Sequence, residues 1–191
     1  MKTPTRAEAY SILTKYNKNE SLIRHALAVE AVMSHFAGLF GEADPGKWGI
    51  VGLIHDLDYE MYPDQHCKKV RELLTAEEWP EEYIHAAESH GWGICSTVEP
   101  TQRMEKVLYT IDELTGLIGA TALVRPSKSI LDMEVKSVKK KWKDKAFAAG
   151  VNREIIENGA KSLGMELDQV IAETLKGMQK VAGDIGLQGN I

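Results

Sequence analysis

The chain has 191 residues, with 23 Lys and Arg against 28 Asp and Glu, for a formal net charge of −5. Hydrophobic residues at 43% and charged residues at 27% describe an ordinary globular composition, with enough apolar material for one core. That balance argues against wholesale nucleic-acid binding, no stretch approaches a bilayer-spanning apolar run, and two cysteines are too few for a disulfide framework or a four-cysteine zinc site. The opening MKTPTRAEAY carries no apolar signal segment. The expectation is a cytoplasmic protein with reduced thiols, spanning residues 1–191 as a single domain, with neither a membrane nor a polymeric nucleic acid as partner.

Prolines at 4, 45, 63, 80, 100 and 126 bracket the predicted elements, because proline is tolerated at a helix start but not inside one. The first helix is expected over residues 5–16. The clearest follows over 20–40, where Asn19 can cap the start and Leu22, Ala26, Val29, Met33, Phe36 and Phe40 recur along one helical face. Further helices are predicted over 45–57, 64–76, 80–90, 101–122, 132–148, 152–163 and 168–184. Strict apolar/polar alternation flanked by turn signals is lacking, so the fold class is all-α. From Arg125 to Lys161 there are ten basic residues against five acidic ones, and the run VKSVKKKWKDK reads as a solvated helix face or as a cationic wall beside an anionic ligand.

The chemistry-bearing residues sit on these elements. His25 lies at the margin of the apolar stripe of the 20–40 helix. His55 follows Trp48 and Val51 by seven and four residues, which places it on their face of the third helix, and Asp56 comes next. Asp112 falls in the middle of MEKVLYTIDELTGLIG. A carboxylate aimed at a core needs a cation or strong hydrogen bonds, and two helix-borne histidines with two aspartates suit a divalent metal. His35 and His85 read as ordinary histidines, and Cys67 and Cys95 as small hydrophobes.

In this order, His25, His55-Asp56 and Asp112 resemble the H…HD…D signature of the HD superfamily of metal-dependent phosphohydrolases. His66 in YPDQHCKKV and His90 in AAESHGW match the two further histidines of HD proteins that bind two metals. The segments IRHALAVEAVM, LIHDLDYE, LTGLIGATALVRPSKSI and GVNREII extend the resemblance, to a poorly characterised subfamily of predicted HD hydrolases, over most of the chain. Many HD enzymes have a lysine soon after the HD pair. Here Leu57-Asp58-Tyr59-Glu60 stands in its place, so no role of that lysine is carried over.

The resemblance implies a helical HD-domain bundle with a metal-binding core over about 20–122 and extra C-terminal helices over about 127–186. It implies that His25, His55, Asp56 and Asp112 hold one metal, and that His66 and His90 hold a second, with Asp56 bridging. Iron, manganese, zinc, cobalt or nickel would suit such ligands. The implied reaction is hydrolysis of a nucleotide or other small phosphate ester by a metal-activated water at Asp56. The alternatives are an HD-fold di-iron oxygenase and a non-enzymatic ligand-binding module. Arg24, Lys68, Lys69, Arg125 and Lys128 are candidates to meet a phosphate. Asp58, Glu60 and Glu88 are candidates to orient a ligand or move a proton.

Overall fold

The computed structural model describes residues 3–190, and among them every regular element is helical. The order is α1 (Arg6–Tyr16), α2 (Glu20–Leu39), α3 (Pro45–Ile54), α4 (Lys69–Ala76), α5 (Glu81–Ser89), α6 (Arg103–Leu123), α7 (Val135–Trp142), α8 (Arg153–Ser162) and α9 (Leu167–Gln179), with one 3-10 turn at Pro63–Gln65. The all-α bundle is therefore the observed fold class. An isolated bridge between Trp92 and Ser96 is the sole β-type pairing among the described residues.

Local sequence explains most of the starts. Thr5 and Glu8 form a reciprocal capping box at α1, the Asn19 side chain accepts from the Ser21 amide at α2, and Asp44 caps α3 just before Pro45. Each cap satisfies amides that the first helical turn leaves unpaired.

The core is built around α2, α3 and α6. On α2, Ala26, Val29, Met33 and Phe36 are buried as the stripe predicts, while Leu22 and Phe40 at its ends are only partly covered. The third helix differs from expectation: residues Trp48 to Ile54 are all buried, so beyond its exposed first turn it has no solvent face. It lies between α1, α2 and α5. Its closest approach to the α2 backbone is at Gly52, where a β-carbon would stand 2.8 Å from the Glu30 backbone nitrogen and 2.9 Å from the Val29 carbonyl carbon. Only glycine lets α3 lie this close to α2. The contact sets the depth of His55 relative to His25.

Four predicted boundaries shift, each for a tertiary reason. The helix expected over 45–57 stops at Ile54, and the chain turns through 55–61, held by the Asn17 side-chain amide donating to the Leu57 carbonyl at 3.3 Å. The helix expected over 64–76 begins only at Lys69. Cys67 adopts a positive φ of 67°, and the distant Asp58 carboxylate accepts from the Val70 amide at 2.8 Å. The helix over 132–148 ends at Trp142, where the Arg153 guanidinium gathers the carbonyls of Trp142, Asp144, Phe147 and Val151. The last helix stops at Gln179, and the chain turns toward Gly186 with φ of 70°.

Candidate metal centre

The six residues picked out as metal ligands converge. His25 comes from the second turn of α2, His55 and Asp56 from the end of α3, His66 from the loop before α4, His90 from the end of α5, and Asp112 from the middle of α6. His55 is fully buried and His90 nearly so, while His25, Asp56, His66 and Asp112 are partly buried.

They form two groups that share one side chain. In the first, His25 Nε2 lies 2.9 Å from Asp112 Oδ1, His55 Nε2 lies 3.3 Å from the same oxygen, and Asp56 Oδ2 lies 3.3 Å from His55 Nε2 and 3.6 Å from His25 Nε2. The two imidazole Nε2 atoms themselves are 3.3 Å apart. In the second, Asp56 Oδ1 lies 3.3 Å from His90 Nε2 and 3.6 Å from His66 Nε2. One carboxylate thus turns a different oxygen toward each group.

These spacings fit a metal. Donor atoms about 2.1 Å from a common ion stand about 3.0 Å apart at octahedral and about 3.4 Å apart at tetrahedral angles. The imidazoles also point the correct nitrogen inward. His55 Nδ1–H donates to the Gly52 carbonyl at 2.8 Å, His90 Nδ1–H to the Ala87 carbonyl, and His66 Nδ1–H to Asp58 Oδ1 at 2.8 Å. Each donation fixes the tautomer that leaves Nε2 with a free lone pair facing the cluster.

The electrostatics point the same way. Burial alone pushes the His55 pKa down, but the Asp56 and Asp112 carboxylates outweigh it and hold His55 well above the usual histidine range. For His90, burial is again outweighed by Asp56, and the net shift is upward. Burial alone would raise the two carboxyls, and the imidazoles facing them, His55 foremost, hold both well below the usual range. The cluster therefore attracts positive charge, whether protons or a metal ion.

Asp58 is fully buried and ties His66 to the start of α4. The other candidates serve elsewhere. Glu60 accepts from the Lys18 and Asn19 amides at the start of α2, and Glu88 pairs with Arg71 at 2.5 Å. Among the basic candidates, Arg24 pairs with Glu20 at 3.1 Å, Lys69 with Glu72 and Arg125 with Asp132 at 2.8 Å, while Lys68 and Lys128 point to solvent. None of the five lines the central cavity.

That cavity, about 440 Å³, opens over both groups. Sequence reasoning missed much of its wall: Tyr59, Ile94, Glu113, Val151 and Ile155 all line it. Tyr59 packs edge-on against His66 with ring centroids 5.0 Å apart. Glu113 follows Asp112 and was legible only as its neighbour; burial and the Asp112 charge push its carboxyl up.

Two histidine readings need refinement, and the cysteine reading is overturned. His35, read as an ordinary histidine, has Glu173 Oε2 at 2.7 Å and Lys180 Nζ at 2.8 Å, both from the far end of the chain. His85 pairs with the buried Glu105 at 2.8 Å. Cys67 and Cys95, expected as separate thiols, are joined in a disulfide. The bond ties the loop bearing His66 to the turn after His90, and Gly91 lies against it: a β-carbon there would meet the two sulfurs at 2.2 and 2.3 Å. The sequence shows two cysteines 28 residues apart but not that the two loops meet.

No family model, curated protein or solved structure matches the chain. No helix among the described residues is long and apolar enough to cross a membrane.

Proposed function

We propose that the chain is an HD-superfamily phosphohydrolase that cleaves a small phosphate ester with one or two divalent transition metals. The observation that carries this reading is the Asp56 carboxylate, with one oxygen toward His25, His55 and Asp112 and the other toward His66 and His90. His25, His55, Asp56 and Asp112 would hold one ion, and His66, His90 and Asp56 a second. Ions bound there supply a water of lowered pKa as nucleophile and a Lewis acid for the phosphate oxygens. The protein's own part is to hold the Nε2 atoms inward through the Gly52, Ala87 and Asp58 acceptors, and to keep one open side facing the cavity.

The identity of the metal is left among iron, manganese, zinc, cobalt and nickel, since mixed imidazole and carboxylate ligands suit all of them. The cytoplasm is the proposed compartment, where thiol reductants would act on the Cys67–Cys95 bond.

The test is anaerobic purification with metal analysis, followed by a screen of phosphate esters against the five metals. Metal-dependent phosphate release is expected. Oxygen uptake by an iron-loaded protein without phosphate release would move the reading to an oxygenase. A protein that takes up no metal would leave a binding module.

A further inference from the structure

Resting on the hydrolase reading, we propose that the site selects a monophosphate whose organic group is uncharged and largely apolar, with a hydroxyl or amide N–H donated to Glu113, and disfavours di- and triphosphates. The cavity has two unlike sides. One is the ring of metal-ligand side chains. The other is formed by Leu22, Ile94, Val151 and Ile155, with Tyr59 at the edge. Ile94 and Tyr59 are 59% and 47% exposed, so large apolar surface stands open at the site. A group that buries such surface gains affinity in proportion to the area covered.

The charges lining the cavity point to the same class. Three carboxylates line it, those of Asp56, Asp112 and Glu113, and no Lys or Arg does among the described residues. Of the nearby basic side chains, Arg24 pairs with Glu20 at the surface and lines an adjoining cavity, and Lys69 pairs with Glu72. Two divalent ions would leave this site one positive charge in excess, which a dianionic monoester roughly balances. A triphosphate would bring further negative charges beside the Glu113 carboxylate with no side-chain cation to meet them, and uncompensated charge in a partly desolvated cleft is costly.

Glu113 supplies the polar element of recognition. Its Oε2 accepts from the Asn152 amide at 3.1 Å, which fixes the side chain, and Oε1 has no hydrogen-bond partner among the described residues. An acceptor fixed in this way in an apolar wall favours a ligand that brings a donor and rejects one that brings an anion. A cavity of about 440 Å³ accommodates a phosphate with an aryl- or sugar-sized group.

The experiment uses the intact, metal-loaded protein and two readouts. Calorimetry compares three non-hydrolysable probes: methylphosphonate, benzylphosphonate and 4-(hydroxymethyl)benzylphosphonate. Turnover compares benzyl phosphate with a nucleoside triphosphate in excess metal. Burial of a methylene is worth about fourfold in affinity, so benzylphosphonate should bind at least about tenfold more tightly than methylphosphonate. The hydroxymethyl group should add several-fold more, and that addition should vanish in Glu113→Ala. Ile94→Ser should shrink the benzyl advantage, and kcat/KM should favour the monoester by at least about tenfold.

Equal binding of methyl- and benzylphosphonate by the unmodified protein would overturn the proposal without recourse to any variant. Preferred turnover of the triphosphate would also overturn it while leaving the hydrolase reading standing. The predicted phosphonate order with no ester hydrolysed would do the reverse: the subsite would stand and the hydrolase reading would fall.

Discussion

The two halves of the candidate metal centre are built from different materials. His25, His55 and Asp112 project from or directly terminate α2, α3 and α6, three helices whose contacts make the core. His90 terminates α5 as His55 terminates α3, but His66 belongs to an irregular loop, and this half is steadied by single devices: the Asp58 carboxylate, the Cys67–Cys95 bond and Gly91. Helix-borne ligands are placed by packing of many side chains, whereas loop-borne ones depend on a few contacts each. The first half should therefore bind metal strongly and the second should be the adjustable one.

The largest expected effect falls on the side chain common to both halves. Asp56→Ala should lower metal-dependent hydrolysis by about 10³-fold or more while leaving the helical circular-dichroism signal in place. Retained activity with full metal content would remove Asp56 from the site.

His66→Ala should separate the halves, lowering metal stoichiometry at saturation from about two to about one. Two ions bound with unchanged affinity would show that the loop contributes no ligand. Asp58→Asn sharpens the point further. A neutral amide can accept from His66 or face the Val70 amide with its oxygen, but not both. The second ion should weaken by about 10–100-fold and the first should hardly change, as read by competitive metal titration.

Lower pH should weaken both halves, because each needs neutral imidazole and the folded protein holds His55 and His90 above their usual range. Protons bound there in the ordinary histidine range must leave before a metal binds, so affinity falls as pH falls. A titration between about pH 8 and pH 5.5 checks this loss at both sites.

The smallest effect is expected at His35→Ala, which lies on α2 but outside the centre. It should cost about 1 kcal/mol by removing one of the two partners of Glu173, which keeps Lys176, with unchanged metal stoichiometry, as measured by chemical denaturation and metal analysis.

The same division governs what the sequence makes legible. The α2 stripe and the Asn19 cap are local signals, and both appear as expected. The ordered His and Asp residues were readable because ligand chemistry restricts residue type. The end of α3 at Ile54, the late start of α4 and the loop around Arg153 were not readable, because each depends on a side chain outside the element it shapes. The Cys67–Cys95 pairing, the partners of His35 and the cavity wall of Ile94, Val151 and Ile155 share that property. Contacts between distant segments leave no periodicity behind.

Asp56 turns one oxygen to each group, and this would make two ions bound there thermodynamically inseparable. The first ion to bind would spend the entropy of ordering that carboxylate and withdraw part of its negative charge. The second would meet a side chain already fixed but electrostatically poorer. Whichever contribution dominates sets the sign of the coupling, and linkage requires the helix-borne site to feel the loop-borne ion by the same factor as the reverse. A change confined to the His66 loop would thus be read out in the affinity of the helix-borne site, giving the loop control over an ion that it would not ligate.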